Sequence, residues 1–230
     1  MKKIIVFSGA GISAESGLNT FRDNNGLWEN HDIKEVATPE AWKKNPSLVL
    51  DFYNQRRKQV LEAEPNLAHR IIADLEQNFN IHVITQNIDD LHERAGSTNV
   101  LHLHGEILKA RSTYDDVRYG IKGAELNIGD LCKNKSQLRP DVVWFGEAVP
   151  KMIDAMKLCE NADILIIIGT SLSVYPAANI LDFVPDFCEK YLIDPNNLPI
   201  SEIKNLTIIK EKASIGIPIL ANKLLEKSFT

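Results

Sequence analysis

The first residues that could do chemistry follow a short apolar run at positions 4–7. The six residues after Ser8 read Gly-Ala-Gly-Ile-Ser-Ala and fit the G-x-G-x-x-G/A pattern of a strand-to-helix turn. Glycines in such a turn let the backbone approach a pyrophosphate, whose charge is met by the helix N-terminus. A tight turn without a ligand would use the same glycines. The residues of this turn predicted to bind a dinucleotide are Gly9, Ala10, Gly11, Ala14 and Glu15.

A loop with a glycine hinge continues from this turn and contains Phe21 and Arg22. An aromatic ring and a guanidinium beside a phosphate-binding turn suit a lid that covers a dinucleotide and pairs with its charge. Plain packing of Phe21 and a solvated Arg22 explain the two residues equally well.

Three further polar segments stand at or just past the ends of predicted strands, at 85–92, 101–106 and 169–176. An open α/β sheet places its ligand site at that edge. The second segment contains His104, and an imidazole that titrates near neutrality suits a general base. A structural role is the simpler interpretation for a histidine taken alone, and it is the one given to His92 and His102.

The elements that must position these residues are predicted from apolar runs at 4–7, 81–84, 100–103, 142–145, 164–168, 191–193 and 206–209. Such runs are typical of buried strands. Segments with helical spacing lie between several of them, at 67–79, 152–159 and 177–183. The alternation predicts a doubly wound α/β core, in which helices cover both faces of a parallel sheet.

Two stretches, 18–63 and 109–138, break this alternation. We expect them to form a small lobe inserted into a single domain of residues 1–230. The core is then about 1–17, 66–107 and 139–230, and the lobe about 18–65 and 108–138.

Composition excludes several classes of protein. The 230 residues are 44% hydrophobic and can bury a full core. The net charge of −5 is made of interspersed acids and bases, so neither a nucleic acid nor a membrane is expected as a partner. The three cysteines are far apart and the N-terminus lacks a signal-peptide pattern, which predicts a cytoplasmic protein with reduced thiols.

Five segments in order carry a specific resemblance: GAGISA, TQNIDDLH, HLHGE, RPDVVWFGE and GTSLSVYP. Together they resemble the sirtuin family over most of the chain. The resemblance implies a Rossmann-like NAD domain and a smaller lobe, with the acylated lysine and the NAD entering the cleft between them from opposite sides.

The resemblance also implies roles for single residues. His104 matches the general base, which draws a proton from the nicotinamide ribose so that the 2′-hydroxyl attacks the acyl group. Asp194 stands where the family usually has an asparagine on the adenosine ribose. Phe145, Gly146 and Val174 match segments that clamp a substrate peptide as an added strand. Further NAD-binding residues implied are Gln86, Asn87, Ile88, Asp89, Gly169, Thr170, Ser171 and Ala213. Strand-end capping is the alternative for Gln86, Asn87 and Asp89.

One feature of the family is missing. Most sirtuins carry two Cys-x-x-Cys pairs that hold a structural zinc, whereas this chain has Cys132 alone, with Lys135 at the partner position. One thiolate cannot make a four-ligand site, and an ammonium group has no lone pair to give. No zinc is expected.

A predicted helix from Asn45 to about 63 places Tyr53 and Arg56 on one apolar stripe. The pair resembles the one by which an acid-acyl branch of sirtuins recognises succinyl, malonyl or glutaryl lysine. Ala37 is consistent with the wide acyl pocket of that branch. An arginine that reaches solvent or pairs with an acid of the protein is the alternative for Arg56.

The sequence therefore predicts an NAD-dependent protein-lysine deacylase that consumes NAD and yields nicotinamide, free lysine and O-acyl-ADP-ribose. Succinyl and malonyl groups are the expected substrates, together with acetyl. Two alternatives stay open: a protein ADP-ribosyltransferase, and a non-catalytic module that binds NAD or ADP-ribose.

Overall fold

A computed structural model of the chain describes residues 1–19, 27–28, 31–170, 172, 175–196 and 203–228. Its strands, in chain order, are β1 (Lys3–Ser8), β2 (Leu27–Trp28), β3 (His31–Asp32), β4 (Asn80–Thr85), β5 (Val100–His102), β6 (Gly105–Ser112), β7 (Arg118–Gly120), β8 (Leu138–Val142), β9 (Ile164–Ile168), β10 (Glu189–Ile193) and β11 (Leu206–Ile209). Its helices are α1 (Gly11–Ala14), α2 (Ile33–Val36), α3 (Pro39–Lys44), α4 (Pro46–Glu62), α5 (Leu67–Asp74), α6 (Leu91–Ala95), α7 (Met152–Cys159) and α8 (Ala213–Ser228). Two 3₁₀ helices cover Leu75–Gln77 and Ala177–Phe183.

A parallel sheet of six strands lies at the centre of the described structure, in the order β11-β10-β9-β1-β4-β5. Ile4 of β1 pairs with Ile81 of β4 on one side and with Ile164 of β9 on the other. The chain moves outward from β1 in one direction through β4 and β5, and later in the other through β9, β10 and β11. The strand order thus reverses between β1 and β9, where open α/β sheets bind their ligands.

Side chains of β1 point alternately to the two faces of this sheet. Ile4 and Val6 pack in one layer with α5 and α8, whereas Ile5 and Phe7 pack in the other with α7 and the second 3₁₀ helix. All five residues of β9 are buried, which is why its sequence is apolar without alternation. The predicted α/β architecture, with both faces of a parallel sheet covered, is confirmed.

A second sheet is antiparallel, in the order β7-β6-β8, and packs against α4. Arg57 of α4 is completely buried and ties the helix to this sheet. Its Nε donates to the carbonyl of Ile107 at 2.7 Å, and its Nη1 donates to the carbonyl of Ala124 at 2.9 Å and to Oδ1 of Asn54 at 2.7 Å. Asn54 in turn donates to the carbonyl of Leu126 and accepts from its N–H. Side-chain bonds to backbone therefore fix the connection between β7 and β8.

Three expectations about elements need correction. The strand predicted at 142–145 is wrong, because residues 138–142 form β8 in the antiparallel sheet. The segment is apolar because Val142 and Trp144 pack in a cluster with α4. The helix predicted at 67–79 ends at Asp74 and continues as a 3₁₀ turn, and the helix at 177–183 is itself 3₁₀. Among the described residues, no helix is long and apolar enough to cross a membrane.

Candidate active site

The carboxyl ends of β1, β4, β9 and β10 border a cavity of about 880 Å³. The residues around 142–149 and the helix α4 border it from the other side. All described residues to which the sequence analysis gives a binding or catalytic role line this cavity: Gly9, Ala10, Gly11, Ala14, Glu15, Tyr53, Arg56, Gln86, Asn87, Ile88, Asp89, His104, Phe145, Gly146, Gly169, Thr170, Asp194 and Ala213. Four others lie outside the described residues: Phe21, Arg22, Ser171 and Val174.

Glycines in the first turn allow two loops to meet at the point where the strand order reverses. The N–H of Gly11 donates to the carbonyl of Gly169 at 2.8 Å. A Cβ on Gly9 would lie 2.7 Å from that same carbonyl oxygen, and a Cβ on Gly11 would lie 2.7 Å from the Cα of Gly169. The glycines therefore serve the contact between the two loops, and they also leave the backbone bare along the cavity.

The loop after β4 is held by side-chain hydrogen bonds from neighbouring loops. Gln86 Nε2 donates to Thr170 Oγ1 at 2.8 Å. Asn87 Nδ2 donates to Ser13 Oγ at 3.1 Å, and Ser13 Oγ donates to Asp89 Oδ2 at 3.1 Å. Burial raises the pKa of Asp89, although bonds from Leu91 N–H and Ser13 oppose this. The carboxamides and the carboxylate thus present a fixed arrangement to the cavity.

Sequence reasoning missed Ser13. It lies inside the first motif, and a serine at that position indicated only that it is part of the turn. Its hydroxyl bridges Asn87 and Asp89, a relation between segments far apart in the chain that a single sequence does not reveal. The same holds for Lys212 and Asn196, which line the cavity at its other end.

His104 has its ring orientation fixed by the backbone. Its Nδ1 lies 3.0 Å from the carbonyl oxygen of Gln86. A carbonyl only accepts, so Nδ1 carries the proton and Nε2 of the neutral ring keeps its lone pair. Burial lowers the pKa of His104 and outweighs the opposite effect of the Gln86 carbonyl. The ring is therefore neutral at physiological pH and can accept a proton.

The other two histidines of these segments do not line the cavity. His102 Nε2 lies 2.7 Å from Glu93 Oε1, and its Nδ1 lies 2.9 Å from the carbonyl oxygen of Asn87. Burial alone would lower the pKa of His102, but these two acceptors raise it. His92 is buried, and its Nε2 lies 3.0 Å from Ser8 Oγ. Both positions agree with the structural role expected of them.

At the β10 end of the cavity, Glu15 joins α1 to α8. Its carboxylate accepts from the N–H of Ser214 at 3.0 Å and from the hydroxyl of Ser214 at 2.6 Å, in the first turn of α8. A carboxylate there interacts favourably with the helix dipole. Asp194 follows β10, and its Oδ1 accepts from the N–H of Asn196 at 2.8 Å. Glu15 therefore fixes the position of Ala213, which begins α8.

At the α4 end, Tyr53 and Arg56 lie one helical turn apart and both line the cavity. Tyr53 is fully buried, and burial raises the pKa of its hydroxyl, so the phenol stays protonated. Arg56 is only 6% exposed, which is inconsistent with a side chain that reaches solvent. Its Nη1 donates to the carbonyl of Asn19 at 3.4 Å. Ala37 borders the same part of the cavity.

Phe145 and Gly146 form the rim between these two ends. The N–H of Phe145 donates to the carbonyl of Ala37 at 3.0 Å, while its side chain is 44% exposed. Gly146 has a φ of +90°, a conformation that residues with a side chain rarely adopt. The segment is therefore anchored to the loop around Ala37 and open to solvent on its other side.

The described residues at 109–138 do not fit a structural zinc. Cys132 is buried, and its Sγ accepts from the N–H of Ser136 at 3.4 Å. At residues 111–115, where the first Cys-x-x-Cys pair of the family would stand, Ser112 Oγ accepts from the N–H of Tyr114 at 3.1 Å. No group of three or more histidine, cysteine, aspartate or glutamate side chains in the described part of the chain is placed to hold a metal ion.

Comparisons with known proteins agree on one family. A family model described as the Sir2 family matches residues 9–176. The chain is 54% identical to an NAD-dependent protein deacylase of Helicobacter pylori over 226 residues, covering 98% of this chain and 99% of the relative. It is 48% identical to an NAD-dependent protein deacylase of Bacteroides thetaiotaomicron over 231 residues, covering 98% and 99%. A solved structure described as a Sir2 homolog-NAD complex superposes with a TM-score of 0.89 at 38% identity, covering 99% and 91%.

Proposed function

This chain belongs to the Sir2 family, and we propose that it catalyses the NAD-dependent removal of acyl groups from protein lysines. One NAD, one acylated lysine and one water are consumed, and the products are nicotinamide, the freed lysine and O-acyl-ADP-ribose. The observation that carries the proposal is the neutral imidazole of His104, held by the Gln86 carbonyl inside the cavity that Gln86, Asn87 and Asp89 also line. The catalytic unit is the single domain 1–230, with the core and small lobe bounded as the sequence predicts.

The cavity suits NAD in both shape and chemistry. It passes through the point where the strand order reverses, and bare glycine backbone at Gly9 and Gly11 lies there. Asp194 can accept from a ribose hydroxyl at one end, and the carboxamide of Asn87 can pair with another amide nearer His104. Bound there, NAD supplies the nicotinamide leaving group and the ribose hydroxyl that takes up the acyl group.

His104 acts as the general base of this reaction. Nε2 of the neutral ring accepts the proton of the ribose hydroxyl, and the Gln86 carbonyl then stabilises the imidazolium through the bond to Nδ1. That carbonyl belongs to the loop that carries Asn87 and Asp89. The distance between the base and the residues that orient the sugar is therefore fixed. Phe145 and Gly146 hold the substrate peptide at the rim as an added strand, and the sequence assigns Val174, which lies outside the described residues, to the same task.

The acyl group lies between Tyr53, Arg56 and Ala37 in this proposal. The guanidinium of Arg56 can take a carboxylate through two parallel charge-assisted bonds, and the protonated Tyr53 can donate a third. An acidic acyl group therefore gains contacts that an acetyl group lacks, so succinyl and malonyl lysine are preferred. The small side chain of Ala37 leaves room for the longer chain.

Mass spectrometry of a peptide that carries succinyl-lysine tests the reaction type. After incubation with NAD and the protein, we expect the peptide to lose the mass of the succinyl group. A peptide that instead gains the mass of ADP-ribose would identify a transferase and contradict the proposal. An unchanged peptide together with tight NAD binding would identify a binding module.

A further inference from the structure

The Tyr53 hydroxyl has a hydrogen-bond partner that the sequence analysis did not identify. Trp144 Nε1 donates to the Tyr53 oxygen at 3.1 Å, and both side chains are almost completely buried. Trp144 stands 91 positions away in the chain, directly before Phe145 at the peptide rim. The bond therefore joins the acyl end of the cavity to the rim.

The chemistry of the two groups fixes the direction of this bond. An indole N–H donates and never accepts, so the Tyr53 oxygen is the acceptor. The hydroxyl proton consequently lies on another side of the oxygen than Trp144. Burial raises the pKa of Tyr53, so the phenol keeps this proton at physiological pH. An acceptor that enters the cavity beside Arg56 meets a donor whose rotation is already restricted.

Trp144 itself is held by two neighbouring side chains and along its backbone. The guanidinium of Arg139 lies 3.3 Å from the centroid of its ring, and the ring of Trp42 lies 5.8 Å away. Glu147 accepts from Arg139 Nη1 at 2.7 Å, from Arg139 Nη2 at 3.0 Å and from the N–H of Trp144 at 2.8 Å. The carboxylate of Glu147 thus fixes the planar guanidinium and also binds the backbone N–H of Trp144. These contacts leave the indole little freedom to turn.

We propose that Trp144 is a positioning residue for acyl selection, which turns the Tyr53 hydroxyl into an oriented donor for the carboxylate of an acidic acyl group. The inference rests on the proposed deacylase function and its acyl preference. Trp144 acts through Tyr53, so removing its N–H lowers selectivity for the acidic acyl group only while the Tyr53 hydroxyl is present.

A double-mutant cycle tests this dependence. Efficiencies on succinyl and acetyl versions of one peptide are measured for the wild type, Trp144→Phe, Tyr53→Phe and the double variant. Trp144→Phe keeps an aromatic ring under Arg139 and deletes the N–H. We expect it to lower the succinyl-to-acetyl ratio about three- to tenfold, the range for one hydrogen bond. In the Tyr53→Phe background the same change leaves the ratio within about twofold.

The outcomes separate this inference from the function beneath it. An unchanged ratio in Trp144→Phe, an equal loss on both substrates, or the same change in both backgrounds would overturn the positioning role. A wild type without acidic preference would overturn the acyl preference and this inference together, and one that frees no lysine would overturn the deacylase itself. If Trp144→Phe does not fold, nuclear magnetic resonance of the Tyr53→Phe variant tests the bond instead. In that variant the indole N–H signal of Trp144 should move upfield and the proton should exchange faster. An unmoved signal would refute the bond.

Discussion

His104 and Gln86 are joined by a hydrogen bond of 3.0 Å between the imidazole Nδ1 and a backbone carbonyl oxygen. The bond selects one tautomer, because the carbonyl cannot donate. It also couples the base to the loop after β4, whose side chains are fixed by Thr170 and Ser13. Hydrogen bonds therefore link the proposed base to the residues that we propose bind the sugar.

Replacing His104 with alanine should abolish most of the turnover and leave NAD binding intact. A general base contributes roughly a hundredfold or more to the rate, whereas the contacts that we propose between NAD and the glycine turn or Asp194 do not involve the imidazole. Calorimetry with NAD beside a rate assay measures both quantities. A variant that turns over normally would remove His104 from the mechanism.

The pH dependence of kcat/KM should show an acidic limb that His104 causes. The base works in its neutral form, so activity falls as the pH drops through its pKa. Burial lowers that pKa, and the midpoint should therefore lie below about 6.5, the ordinary value for histidine. Residual activity of His104→Ala should lack the limb. A midpoint above the ordinary value would mean that a negative charge, not burial, dominates around the ring.

Arg57→Met should destabilise the protein by about 3 kcal/mol or more, since it leaves several buried backbone and side-chain oxygens without a donor. Its neighbour Lys58 pairs with Glu125 across the same contact, but both side chains are more than half exposed. Lys58→Met should therefore cost less than about 1 kcal/mol. Chemical denaturation compares the free energies of unfolding of the two variants. Equal losses of stability would refute the role given to Arg57.

Excess chelator should leave the melting temperature of the wild type unchanged, because we expect no zinc in the small lobe. A melting temperature that falls in chelator would refute this expectation.

Arg56→Met should reduce the preference for succinyl and malonyl over acetyl lysine. Each hydrogen bond to a charged group contributes about 1.5 to 3 kcal/mol, so the wild-type preference should be roughly ten- to a thousandfold in kcat/KM. The methionine keeps much of the side-chain volume and removes the charge. Efficiencies on three acyl versions of one peptide give the ratios. An unchanged ratio in the variant would leave Arg56 with a structural role alone.

The inner strands of the central sheet were predictable because both of their faces are buried, which produces an apolar run in the sequence, as in Ile164–Ile168. The segment 142–145 gave the same signal for a different reason. Val142 and Trp144 are buried against α4 rather than in the parallel sheet, and composition does not distinguish the two kinds of burial.

The residues predicted to bind NAD came together because their segments follow strand ends, which parallel strands bring to one edge. Partners such as Ser13 for Asp89, or Trp144 for Tyr53, join segments distant in sequence. No local pattern reports such pairs, so only the fold identifies them. The same is true of Arg57. The sequence did not show whether its side chain is buried or lies on the exposed face of the helix.

Nicotinamide release measured beside lysine deacylation tests the central claim most directly. The protein is incubated with NAD, with and without a succinyl-lysine peptide, and both products are quantified over time. We predict that release depends on the acylated peptide and that one nicotinamide appears for each lysine freed. Release without any acylated peptide at the same rate, or NAD that stays intact while it binds, would contradict the assignment of this site to deacylation.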